Sequence, residues 1–245
     1  MHPLTNPGPG LVFIIALAGG SASAPSAPVD VVGKWLSDRV MRAAETDGAH
    51  GPQEGVYRLI PLAELDAPEP VKQHLRKQIQ RSRAGVVRVP RGTIPSQREL
   101  TTALAKARRS DATLRQRLPS PPSDLSGSSL AAAELIGMVP AGAMQGANTS
   151  GLSRFFRLRD IGIVEFNEEN FRVPGSVIEA FEEAQNAVIN GTPAQIEAAI
   201  DEQGRGQVSL TWAGKDKVYR LTATGNDDVG RKSDVLNAIA ATIKD

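Results

Sequence analysis

The sequence predicts a mixed α+β fold, rich in helix, with short β-hairpins confined to its C-terminal half. Three observations predict it. Capping residues followed by apolar positions at helical spacing recur along the chain. Alternating runs come late, around Ile163–Val173 and Val208–Ala223. Between the two halves lies Pro119–Gly127 (PSPPSDLSG), a linker by composition. An alternative architecture places a small α/β unit in the N-terminal half. The expected organisation is an apolar N-terminal segment at 1–28, signal-like or a first strand, and a basic α/β or helical domain at 29–118. A Pro/Ser/Gly/Ala-rich linker follows at 119–151, then an α+β domain with two hairpins at 152–245.

Leu11–Ala18 is an apolar run of eight, too short to span a bilayer. It leads into small residues to Ala24, as a secretory signal does, yet no Lys or Arg precedes Lys34. The rival reading is a buried strand. Asp30 can cap a helix to about Glu45, with Val32, Trp35 and Leu36 on its apolar face. Val56–Leu62 reads as a strand. Asp66, with Pro68 just inside, opens a helix to about Arg83 whose apolar stripe is Val71, Leu75 and Ile79. Gly85–Pro90 is a further strand. In the α/β alternative, Leu11–Ala18, Val56–Leu62 and Gly85–Pro90 are parallel. Ser96-Gln-Arg-Glu99 is a capping box for a helix burying Leu100 and Leu104.

Ser128–Met138 can be an alanine-rich helix. Leu152–Asp160 reads as a helix with Leu152, Phe155 and Leu158 inward. Ile163–Phe166 and Phe171–Val173 flank a turn at Asn167–Asn170. Ser176-Val-Ile-Glu179 opens a helix to about Ile189, which Gly191 stops, and Thr192-Pro193 starts another. Val208–Trp212 and Val218–Ala223 form a hairpin. Ser233 caps a last amphipathic helix.

Charge is the clearest functional signal. Pro70–Leu118 holds thirteen basic residues and two acidic ones, a net +11 in a chain of net +1. Such a stretch points to phosphates or another anionic partner. There is no cysteine, so disulfides, thiolate metal sites and cysteine nucleophiles are excluded. No P-loop, dinucleotide fingerprint or G-x-S-x-G elbow occurs, and the three histidines are far apart in sequence. No catalytic residue, metal ligand or cofactor is assigned. The balance favours a non-enzymatic protein.

Two windows, 152–173 and 207–225, carry a resemblance. Phe155-Phe-Arg-Leu158-Arg-Asp-Ile-Gly162-Ile-Val164 resembles the recognition-helix end and first wing strand of winged-helix DNA-binding proteins. Tyr219-Arg-Leu-Thr222-Ala-Thr-Gly225 is similar to a wing strand of such regulators. Ile94–Leu100 looks like the entry to a GntR-type second helix. The resemblance implies DNA binding, with Arg154, Arg157, Lys215 and Lys217 on wings. The basic stretch adds Arg76, Lys77, Arg81, Arg108, Arg109 and Arg115 as phosphate contacts.

The leading expectation is a non-enzymatic, cytoplasmic nucleic-acid-binding protein, a regulator in the winged-helix case. The first alternative is an exported, periplasmic or envelope protein whose basic face meets an anionic membrane surface or an acidic protein. That one holds if residues 11–24 are a signal peptide. The second alternative is an α/β enzyme without a visible catalytic motif.

Overall fold

A computed structural model describes residues 12–14, 32–38, 54–107, 114–145, 148–173 and 177–243. Its organising element is an eight-stranded mixed sheet, not a set of helices. The strands are β3 (Val87–Val89), β4 (Glu134–Gln145), β5 (Asn148–Leu158), β6 (Gly162–Asn170), β8 (Ala187–Ile189), β9 (Thr192–Asp201), β10 (Gly206–Ala213) and β11 (Lys217–Gly225). They lie in the order β3-β9-β10-β11-β6-β5-β4, with β8 also paired to β9. Every pairing is antiparallel except β3 with β9.

The helix-rich expectation is therefore corrected, and the C-terminal half is a long-stranded sheet. Leu152–Asp160 is β5 and the turn after it, so the recognition helix implied by the first winged-helix window is a strand. Residues 163–173 do not turn at Asn167; β6 runs straight through to Asn170. The helix expected from Ser176 to Ile189 is instead β7 (Val177–Phe181), a short 3-10 turn and β8. The helix expected from Thr192 is β9. The alanine-rich stretch from Ser128 makes one 3-10 turn (Ser129–Ala132) and then enters β4, inside the expected linker.

One face of the sheet is the main core. Phe166, Leu210 and Leu221 sit fully buried beneath Leu236 and Ile239 of the C-terminal helix, α4 (Val229–Thr242). Each such side chain contributes roughly 1.5–3 kcal/mol when taken from water. The helix begins one turn before Ser233, because the Asp228 carboxylate accepts from Arg231 N at 2.9 Å and caps it there.

A second, three-stranded parallel sheet has the order β1-β7-β2, from β1 (Val12–Ile14) and β2 (Val56–Ile60). Two strands of the α/β alternative thus exist, but they flank a strand from the C-terminal half. The third, β3, belongs to the large sheet. Helix α1 (32–38) and α2 (Glu69–Arg83) share a core with Phe181: Trp35 of the first meets the Val71, Leu75 and Ile79 stripe of the second. Tyr57 and Ile178 of the small sheet pack with Ala213 and Val218 of the large one. Helix α3 (Gln97–Ala107) starts in the capping box, Ser96 N donating to Glu99 Oε2 at 2.6 Å and Glu99 N to Ser96 Oγ at 3.2 Å. No helix among the described residues is long and apolar enough to cross a membrane.

Candidate functional site

The opposite face of the large sheet carries polar rows through its middle, beside the apolar patch of Ala213 and Val218 that meets the small sheet. Register places its side chains in rows across the strands, because cross-strand partners point the same way. One row reads Phe155, Glu165, Thr222, Ser209, Glu197. The next reads Ser153, Asn167, Arg220, Thr211, Gln195. Glu169 stands one row further along β6. Arg220 lies diagonally between Glu165 and Glu169, and its Nε donates to Thr211 Oγ1 at 3.2 Å.

Three carboxylates thus share one nearby guanidinium. Burial pushes the Glu165 carboxyl above its ordinary range, against the hydrogen bond from Ser153 Oγ at 2.7 Å and the pull of Arg220. Glu169 rises for the same reason, opposed by Ser150 Oγ at 3.2 Å, the Ala143 amide and Arg220. Glu197 rises likewise, opposed by Ser82 Oγ at 2.9 Å, Arg220 and Gln195.

The two basic helices border this face. At the β4 side, α3 brings Leu104 against Gly137, where an added Cβ would lie 3.3 Å from the leucine. At the β9 side, α2 is tied down by Ser82 to Glu197. Between α2, β3 and β9–β10 opens a groove of about 330 Å³. Gln78, Arg81 and Ser82 line it from α2, Val87 to Pro90 from β3 and the residue after it, and Glu197, Ala199, Gln207 and Ser209 from the sheet. Arg81 is exposed at its mouth, whereas Arg88, in register with Ile200, leaves the edge strand on the other face of the sheet.

The expected phosphate contacts fall in different places. Lys77 and Arg81 are exposed on α2, and Arg76 pairs there with Glu69 at 3.1 Å. Arg115 is exposed in the helical turn at 114–115, and Lys215 in the β10–β11 turn. Arg157 pairs with Glu134 at 3.2 Å. Arg108 and Arg109 lie outside the described residues. Arg154 and Lys217 are drawn inward to Glu168, at 2.8 and 2.9 Å, on the core side of the sheet. Their charge is balanced there by a buried carboxylate. Among the described residues, no group of three or more His, Asp or Glu could hold a metal ion.

Compared with known proteins, the chain matches no family model, no curated sequence and no solved structure. The residues that sequence reasoning passes over are Glu197, Gln207 and Ser209. The available signal was alternation: Gln207, Ser209 and Thr211 interleave with Val208, Leu210 and Trp212, so one face of β10 is polar as far as Thr211.

Proposed function

We propose that this is a non-enzymatic nucleic-acid-binding protein that holds phosphates on the surface formed by α2, β3 and the segment 90–98. One observation carries the reading. Lys77, Arg81, Arg88, Arg91 and Arg98 are exposed and form no ion pair with another described residue. Exposed cations without internal anions are free to release counterions onto a phosphate backbone, which makes binding favourable and salt-dependent. The winged-helix wings take no part in this reading, since Arg154 and Lys217 neutralise Glu168.

Fluorescence anisotropy with a labelled oligonucleotide tests it. If about five phosphates are engaged, the log–log salt slope is near −4 to −5, and K77A/R91A lowers its magnitude by roughly one to two. Folded protein that ignores nucleic acid at low salt overturns the reading. Binding to phosphatidylserine vesicles in its place would transfer the basic surface to an anionic membrane.

A further inference from the structure

We propose that the groove between α2, β3 and β9–β10 takes one unstacked base of a single strand, while the attached phosphate stays on Arg81 at its mouth. This inference rests on the nucleic-acid reading above and names the form of nucleic acid preferred.

Size is the first argument. At about 330 Å³ the groove sits near the lower end of the roughly 300–1,000 Å³ typical of small-molecule sites. That suits one ring system with its sugar and excludes a base pair. Charge is the second. Arg81 stands exposed at the mouth, and the acid, Glu197, is held on the β9 floor by Ser82 Oγ at 2.9 Å. A phosphate entering the groove would approach that carboxyl, whereas one remaining at the mouth meets the Arg81 guanidinium. The neutral, N–H-bearing end of the ligand is therefore the end that descends.

Hydrogen-bonding capacity is the third argument. Ser209 lies beside Glu197 in register, and Gln207 one row away beside Ala199. A carboxyl, an amide and a hydroxyl supply both donors and acceptors to a base edge. In the α2 wall, Gln78 Oε1 is buried without a donor, and a turn of that amide into the groove would let a base amino group satisfy it. The other wall, Val87, Val89 and Pro90, offers apolar contact, and the Arg81 guanidinium plane at the mouth can stack on a base. Duplex DNA presents only phosphates here, because its bases are already paired and stacked.

The test compares a labelled single-stranded 12-mer with its duplex at one salt concentration, using the full chain. Wild type is expected to favour the single strand about tenfold, the scale of one base bound against a protein surface. Ala199→Leu places a larger side chain on the floor between Val87 and Gln207. It should abolish the preference and leave duplex binding unchanged, in protein whose circular dichroism matches wild type. If that variant does not fold, Gln207→Ala, which leaves the floor open, should still weaken single-strand binding severalfold. Free nucleoside monophosphates should displace the single strand from wild type. Equal binding of both forms by wild type overturns this inference alone, as does a preference that survives both substitutions. Failure of both forms to bind at low salt removes the underlying reading as well.

Discussion

Replacing Glu168 with alanine should destabilise the fold by about 3–5 kcal/mol, the range for removing one partner of a buried ion pair. The Glu168 side chain is only 4% exposed, and its two cations, Arg154 and Lys217, are 11% and 12% exposed. The carboxylate accepts from Ser123 N at 2.8 Å, Ser123 Oγ at 2.7 Å, Arg154 Nη2 at 2.8 Å and Lys217 Nζ at 2.9 Å. Without it two positive charges face each other with no carboxylate between them, Arg154 donating to Ser123 O at 2.8 Å and Lys217 to Pro121 O at 2.8 Å and Ser123 Oγ at 3.2 Å. Four charged hydrogen bonds at about 1.5–3 kcal/mol apiece would sum higher, but water entering the vacated space recovers part of that. The control is Glu134→Ala, whose partner Arg157 is 40% exposed, and whose loss should cost no more than about 1 kcal/mol. Urea denaturation gives both numbers, with an unchanged m-value as the sign that the same transition is read. The network also pins residues 121–123 to the sheet, so the alanine variant should be cut there first in limited proteolysis. A Glu168→Ala protein no less stable than Glu134→Ala would refute the argument.

Burial favours the protonated forms of Glu165, Glu169 and Glu197 in the folded chain, so above about pH 4.3, the ordinary glutamate value, the native state binds more protons than the unfolded one. Stability should therefore fall as pH rises from there toward neutrality, by up to about 1.4 kcal/mol per pH unit for each group in its titration range. Urea midpoints measured across that window should flatten when all three are changed to glutamine; a midpoint that already ignores pH in wild type contradicts the burial argument. Gly162→Ala should be severely destabilising, since φ is +97° and a Cβ would lie 2.4 Å from the Thr224 carbonyl oxygen; Gly127→Ala, with open space around it, is the thermal-melt control. Leu104→Ala should cost on the order of 2–4 kcal/mol by the same denaturation assay, because the leucine is 6% exposed and packed over Gly137.

The N-terminal elements were legible because each carries its own punctuation. The capping box at Ser96, the prolines opening α2 and the spacing of Val71, Leu75 and Ile79 fix those helices with no help from the rest of the fold. The β10–β11 hairpin is legible for the same reason. From 176 to 201 local propensity points the wrong way: Ile178-Glu-Ala-Phe-Glu-Glu-Ala has the composition of a helix. Pairing overrides it, since β7 is the central strand between β1 and β2 and is bonded on both sides. Asn190-Gly191 reads as a helix stop in that setting. It is the two-residue turn between β8 and β9, with φ of 50° and 83°, the conformation for which Asn-Gly is favoured.

The strands around Glu168 were illegible for a reason that also bears on function. A half-buried strand is recognised when one residue in two is apolar. In β5 the core-side positions are Leu152, Arg154, Phe156 and Leu158, and in β6 they are Val164, Phe166, Glu168 and Asn170. Arg154 and Glu168 neutralise each other inside, with Lys217 from β11, so charge occupies positions that the pattern reserves for hydrocarbon. With Arg154 set aside as polar, Leu152, Phe155 and Leu158 fall at helical spacing, and a strand reads as a recognition helix. The same substitution of ion pair for apolar contact removes Arg154 and Lys217 from any count of cations available to a ligand. A basic residue in sequence becomes a binding residue only where the fold supplies no anion. By that criterion the described part of the +11 stretch retains Lys77, Arg81, Arg88, Arg91 and Arg98 among others, and it is beside Arg81 that the polar face of β9 and β10 opens into a groove.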